Sequence, residues 1–129
     1  METTNPTTTR SQRLALLCRE QSEDILFAGT IRQEVKNGTP PFRIAAYVNW
    51  FWNVRLQPHF LSEEHEISTV LPAGHSLVEK LHEDHEAIAD LVLSLSQRPA
   101  TASLLRLARV VECHAQFEED YLFRVIGQA

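Results

Sequence analysis

Two stretches of this chain carry the same pattern, His-x3-Glu-Glu: His59-Phe-Leu-Ser-Glu63-Glu64 and His114-Ala-Gln-Phe-Glu118-Glu119. Residues four apart on an α-helix lie one above the other on a single face. Each pattern therefore presents an imidazole and a carboxylate side by side. Imidazole plus carboxylate is a donor set for a transition metal, and two such pairs on facing helices can surround one.

The face on which each pair sits separates these two from other His/Glu pairs. His75/Glu79 and His82/Glu86 are also four apart, but they fall on an entirely polar stripe with Asp90, which reads as a solvated face. The opposite stripe of that segment is Leu77, Leu81, His85, Ile88, Val92, Leu95, so His85 is a lone polar residue on an apolar face. His59 and Glu63 belong to the stripe Val48, Trp52, Leu56, His59, Glu63, Ile67, Val70. Glu118 lies in Leu104, Ala108, Val111, Ala115, Glu118, Leu122, Val125, with His114 on its flank. A carboxylate in a bundle seam is costly unless it is paired, hydrogen-bonded or bound to a cation. His59, Glu63, His85, His114 and Glu118 are thus the candidate metal-ligating residues. A buried His/Glu hydrogen-bond network without metal is the plainer alternative.

Four helices have to position these residues, in an all-α, up-down-up-down four-helix bundle. Met1–Arg10, Thr-rich and aperiodic, reads as a flexible tail, and residues 11–129 as one bundle domain. The first helix is expected over Ser11–Lys36 with Leu14, Leu17, Gln21, Ile25, Ala28 and Val35 inward, ending at Asn37-Gly38-Thr39. The second runs from Pro40-Pro41 to about Leu71, kinked by Pro58 just before His59. Pro72-Ala73-Gly74 precedes the third, His75–Gln97. Thr101 reads as the N-cap of the fourth, which ends near Ile126. Antiparallel helices rise equally from a shared turn. Counting from the turns therefore brings Gln21, His59 with Glu63, His85, and His114 with Glu118 to one level.

Composition narrows the function. The 129 residues carry a net charge of −5 and no basic cluster, which argues against a nucleic-acid partner. No apolar run reaches membrane-spanning length and the N-terminus lacks a signal-peptide core. Cys18 and Cys113, far apart, read as small buried hydrophobes rather than a disulfide, which suits a reducing cytoplasm. Arg43, Arg55, Arg106 and Arg109 read as decoration of solvated faces.

Pro58-His59-Phe60-x-x-Glu63-Glu64, then Glu83-Asp84-His85-Glu86-Ala87-Ile88, then His114-x3-Glu118-Glu119-x3-Phe123 resembles the hemerythrin-like HHE cation-binding domain. Ala46-Tyr47-Val48-Asn49-Trp50-Phe51-Trp52 resembles its small stand-alone bacterial members, and the likeness covers residues 11–126. The resemblance implies a four-helix bundle holding a carboxylate-bridged non-haem di-iron centre that binds or senses oxygen, nitric oxide or iron. His59, His85 and His114 would be terminal ligands, and Glu63 and Glu118 would bridge. The family's usual first-helix His is matched by Gln21, so the centre is expected to be lopsided, with one iron held firmly and a second weakly or not at all, giving fewer than two irons per chain. Gln21→His is expected to restore the missing donor, with Glu20 and Glu23 as alternative donors. Leu81 stands four residues before His85, where oxygen carriers have a second His. Manganese and zinc suit the same donors. Nothing in the chain marks a substrate pocket, so turnover by the iron is a secondary expectation. A degenerate, metal-free interaction module is the third.

Overall fold

The computed structural model describes residues 9–128, and the reading of Met1–Arg10 as a tail lies almost wholly outside them. The described residues are helical apart from short connections, with no strand among them. The elements are α1 (Arg10–Lys36), α2 (Pro41–Phe51), a π-helical turn (Trp52–Leu56), α3 (Gln57–Ser68), α4 (Ser76–Gln97), α5 (Thr101–Phe117), a second π-helical turn (Glu118–Leu122) and α6 (Phe123–Gln128). The π turns join α2 to α3 and α5 to α6, so the chain forms four helical stretches, as expected for a four-helix bundle.

Local chemistry sets the ends. α1 begins at Arg10, one residue before the expected start. Thr9 and Gln12 close a capping box there: the Gln12 amide donates to Thr9 Oγ1 (3.1 Å) and the Thr9 amide to Gln12 Oε1 (2.8 Å). Gly38, at φ 79°, supplies the left-handed residue that ends α1. Pro40 caps α2 and Pro41 fills its first position, where a missing N–H costs nothing. His75 is the N-cap of α4 rather than its first residue, with Nδ1 accepting from the Leu77 amide at 3.1 Å. Thr101 is not a cap. Ala100 holds that place and offers no side-chain bond.

Just before Pro58, where the sequence predicts a kink, the helix takes the first π turn. There the Gln57 amide reaches back five residues to Trp52 O, and Pro58 follows without an N–H of its own. The second π turn has no proline, and the Phe123 amide likewise reaches Glu118 O.

The core is two apolar clusters. One is built from Phe27, Ile31, Val48, Leu56, Ile88, Leu95, Leu104, Leu107 and neighbours; the other from Leu17, Ile67, Leu81, Leu122, Phe123, Ile126 and neighbours. On α1, α3 and α4 the buried polar residues fall in sequence between members of the two: Gln21 and Asp24 between Leu17 and Phe27, Glu63 between Phe60 and Ile67, His85 between Leu81 and Ile88. On the last stretch His114 and Glu118 fall between Val111 and Leu122. A polar layer is thereby enclosed by apolar side chains on either side. This is the setting in which unsatisfied charge is most expensive.

The apolar stripe of α1 is phased differently from the expected one. Its buried residues are Leu17, Gln21, Asp24, Phe27, Ala28 and Ile31, whereas Ile25, expected inward, is 46% exposed. Cys113 is exposed and Cys18 half-buried, both free thiols, so Cys113 is not the buried hydrophobe expected. Among the described residues no helix is long and apolar enough to cross a membrane.

Candidate metal centre

The structure brings all five candidate residues into the polar layer. His59, Glu63, His85, His114 and Glu118 are each at most 5% exposed. Their donor atoms form two groups, Glu63 with His85 and His114, and His59 with Glu63 and Glu118, each with its atoms within 4.8 Å of one another. Glu63 belongs to both. Its Oε1 lies 3.0 Å from His85 Nε2 and 3.5 Å from His114 Nε2, while its Oε2 lies 3.0 Å from His59 Nε2. Glu118 Oε2 stands between the groups, 3.2 Å from His114 Nε2 and 3.5 Å from His59 Nε2.

Each imidazole is held from behind by a carboxylate. His59 Nδ1 lies 2.9 Å from Glu20 Oε1, His85 Nδ1 2.6 Å from Glu64 Oε2, and His114 Nδ1 2.9 Å from Asp84 Oδ2. An ionised carboxylate only accepts, so each Nδ1 carries the proton and donates it outward. Each Nε2 is then left facing inward. A neutral imidazole would point its Nε2 lone pair at carboxylate oxygens about 3 Å away, lone pair against lone pair. A proton between each Nε2 and the carboxylates, or a metal ion, relieves this. His59 Nε2, Glu63 Oε2 and both Glu118 oxygens, all buried, have no hydrogen-bond partner of good geometry among the described residues.

The electrostatics of the metal-free layer follow. Burial opposes the charge of His59, but the Glu63 carboxylate 3.0 Å from its Nε2 and the negative charge of Asp24 push its pKa up to about 9. Burial likewise opposes His114, and its bonds to Asp84 and Glu63 raise it nonetheless. Burial would lift the Glu63 carboxyl, yet the imidazoles of His114, His59 and His85 around it hold it below the usual carboxylate range. Without metal, protons do the neutralising.

A pH dependence follows. A group whose pKa is raised from 6.5 to about 9 stabilises the fold fully below pH 6.5, and the contribution is lost as pH rises through 9. The melting temperature of chelator-treated protein should therefore fall between pH 6.5 and 9. A divalent ion occupies the positions those protons hold, so zinc-saturated protein should lose less over the same range. A flat profile with chelator would contradict the protonated layer.

Asp24 is the residue the sequence reading missed. It is 4% exposed and its Oδ2 lies 3.4 Å from His59 Nε2; burial, ahead of all other influences, raises its pKa to about 7. The spacing 17, 21, 24, 28, 31 is a regular four-three alternation that marks it, but the neighbouring apolar Ile25 is the stronger hydrophobic signal. Gln21 is buried as expected yet does not offer its amide oxygen to His59. Its Nε2 donates to Ala115 O at 2.8 Å and lies 3.5 Å from Glu119 Oε1. Glu20 backs His59 Nδ1 from outside the layer, and Glu23 is not buried. Glu20, an alternative donor on the sequence, takes an outer place instead, and the outer roles of Glu64 and Asp84 are not legible there, because hydrogen bonds between stretches have no periodicity to read. Glu66, another buried carboxylate of α3, is paired with Arg13 at 2.9 Å and stands outside both groups.

Phe60 packs the layer from the side, stacked on the His85 ring at a centroid distance of 3.8 Å and edge-on to His114 at 5.3 Å. As expected, His82, Glu79 and Glu86 are exposed. Comparisons of the chain with protein-family models, with curated proteins and with solved structures return no match.

Proposed function

We propose that this chain is a hemerythrin-like, up-down-up-down bundle that binds non-haem iron and serves in oxygen, nitric-oxide or iron sensing or handling in the cytoplasm. The observation that carries the reading is the orientation of the three histidines, with every Nδ1 tied to an outer carboxylate and every Nε2 aimed at Glu63 or Glu118. Metal-ligating histidines are oriented this way, the outer carboxylate fixing the tautomer and raising ligand basicity. A hydrogen-bond network without metal has no need to leave four buried atoms of one layer unpartnered.

The donor set fits the group. His85 and His114 with Glu63 would hold one ion, and His59 with Glu63 and Glu118, assisted by Asp24, the other. Glu63 divides its two oxygens between the positions, as a bridging carboxylate does. Imidazole and carboxylate suit iron, with manganese and zinc as competitors. Bound iron would supply redox chemistry and affinity for small diatomic ligands. The chain's own residues orient the donors, and the two apolar clusters exclude water.

Metal analysis of protein purified from iron-supplemented cells tests this, with more than one iron per chain expected and none recovered after Glu63→Ala. A finer test uses the outer carboxylates. Glu64→Gln and Asp84→Asn leave every inward donor in place, yet each should weaken metal binding by roughly 10- to 100-fold. Unchanged affinity in both would mean that the outer bonds are not tuning ligands.

A further inference from the structure

We propose that the groove between α4 and α5, behind His114, binds the phosphate group of a small molecule. The inference stands whether or not the layer holds metal. A cavity of ≈ 300 Å³ opens there, lined among others by Lys80, Asp84, Arg106, Arg109, Cys113 and His114. Lys80 and Asp84 are one turn apart on α4; Arg106, Arg109 and Cys113 follow at steps of three and four on α5. Three cations thus face one cavity in a chain whose net charge is −5.

Their pairing is incomplete. Lys80 Nζ holds Asp84 Oδ1 at 2.6 Å, and Asp84 spends its other oxygen on His114. Arg106 and Arg109 have no ion pair or hydrogen bond among the described residues. Apart from His114, the lining carries the three positive charges of Lys80, Arg106 and Arg109 against the one negative charge of Asp84, an excess of two. That excess matches a phosphate dianion, and the guanidinium fork matches its oxygens. The cavity is also roomier than a bare phosphate requires and lies at the small end of ligand pockets of roughly 300–1,000 Å³. A phosphate monoester therefore fits the groove better than the free ion.

The groove also reaches the polar layer. An anion that draws Lys80 from Asp84 alters the partner of His114 Nδ1, so occupancy and the metal position served by His114 share one chain of bonds, Lys80–Asp84–His114.

Cys113, exposed in this cavity, supplies the assay. Its alkylation is followed by peptide mass spectrometry with anionic iodoacetate and neutral iodoacetamide, the ratio of rates removing any change in thiol reactivity. In the wild type iodoacetate should be favoured, and Arg106→Gln/Arg109→Gln should lower the ratio about tenfold. Both arginines are exposed, so the variant should keep the wild-type circular dichroism. Inorganic phosphate should protect Cys113 saturably, beyond chloride at equal ionic strength, and glycerol 2-phosphate at lower concentration still. Equal protection by the two assigns the site to free phosphate. A ratio unchanged in the variant, or protection no better than by chloride, overturns the proposal.

Discussion

Glu63→Gln should abolish the stabilisation of this protein by metal at both positions together. Glu63 is the one residue common to the two donor groups, with Oε1 toward His85 and His114 and Oε2 toward His59. An ion that binds only the folded chain at a hundred times its Kd adds about 2.7 kcal/mol. For a chain of this length that corresponds to a rise in melting temperature of roughly 10 °C. Ferrous iron added anaerobically, or zinc, should produce this rise in the wild type and none in Glu63→Gln. Glu118→Ala removes a donor from only one group and should keep part of it.

The same substitution also acts without metal. Glutamine cannot neutralise three imidazoles, and breaking a buried ion pair by removing one partner costs about 3–5 kcal/mol. The informative quantity is therefore the metal-dependent increment within each variant, not the difference between variants. A wild-type melting temperature unmoved by saturating iron, manganese and zinc would leave the layer as a protonated network and sink the metal reading.

The residues that carry this prediction were legible in the sequence because charge stood out against periodicity. On the second, third and fourth stretches, long apolar stripes fixed the inward face, and Glu63, His85 and Glu118 interrupted them. On α1 the stripe is weak. Apolar Leu26 and Ile25 are 70% and 46% exposed while Gln21 and Asp24 are buried, so hydrophobicity points to the wrong face there. The π turns were hidden for a different reason. Pro58 announced a break near residue 57, but the turn at Glu118–Leu122 has no sequence marker. Both turns stand beside the donors, Glu118 opening one and His59 three residues past the other, where such irregularities are often found. The outer carboxylates depend on tertiary placement alone.

The buried aspartate changes what is expected of the first stretch. With Gln21 in the place of an imidazole, the His59 position looked short of a donor, and Gln21→His the way to restore it. But the side chain at 21 is turned to the Ala115 carbonyl, and a histidine there inherits that direction. Asp24, one turn on, already presents a carboxylate 3.4 Å from His59 Nε2. It is held partly protonated near neutral pH by its burial, with a pKa raised to about 7, and a nearby cation would ionise it. Asp24→Ala should therefore lower the bound metal from two ions per chain toward one. The ion served by His85 and His114 should stay, because Asp24 belongs to neither side of that group. Gln21→His should leave the count where it is. Metal analysis after gel filtration decides between the two accounts. If Asp24→Ala leaves the wild-type count unchanged while Gln21→His raises a wild-type count of one to two, the first-stretch donor position is residue 21 and Asp24 is a bystander.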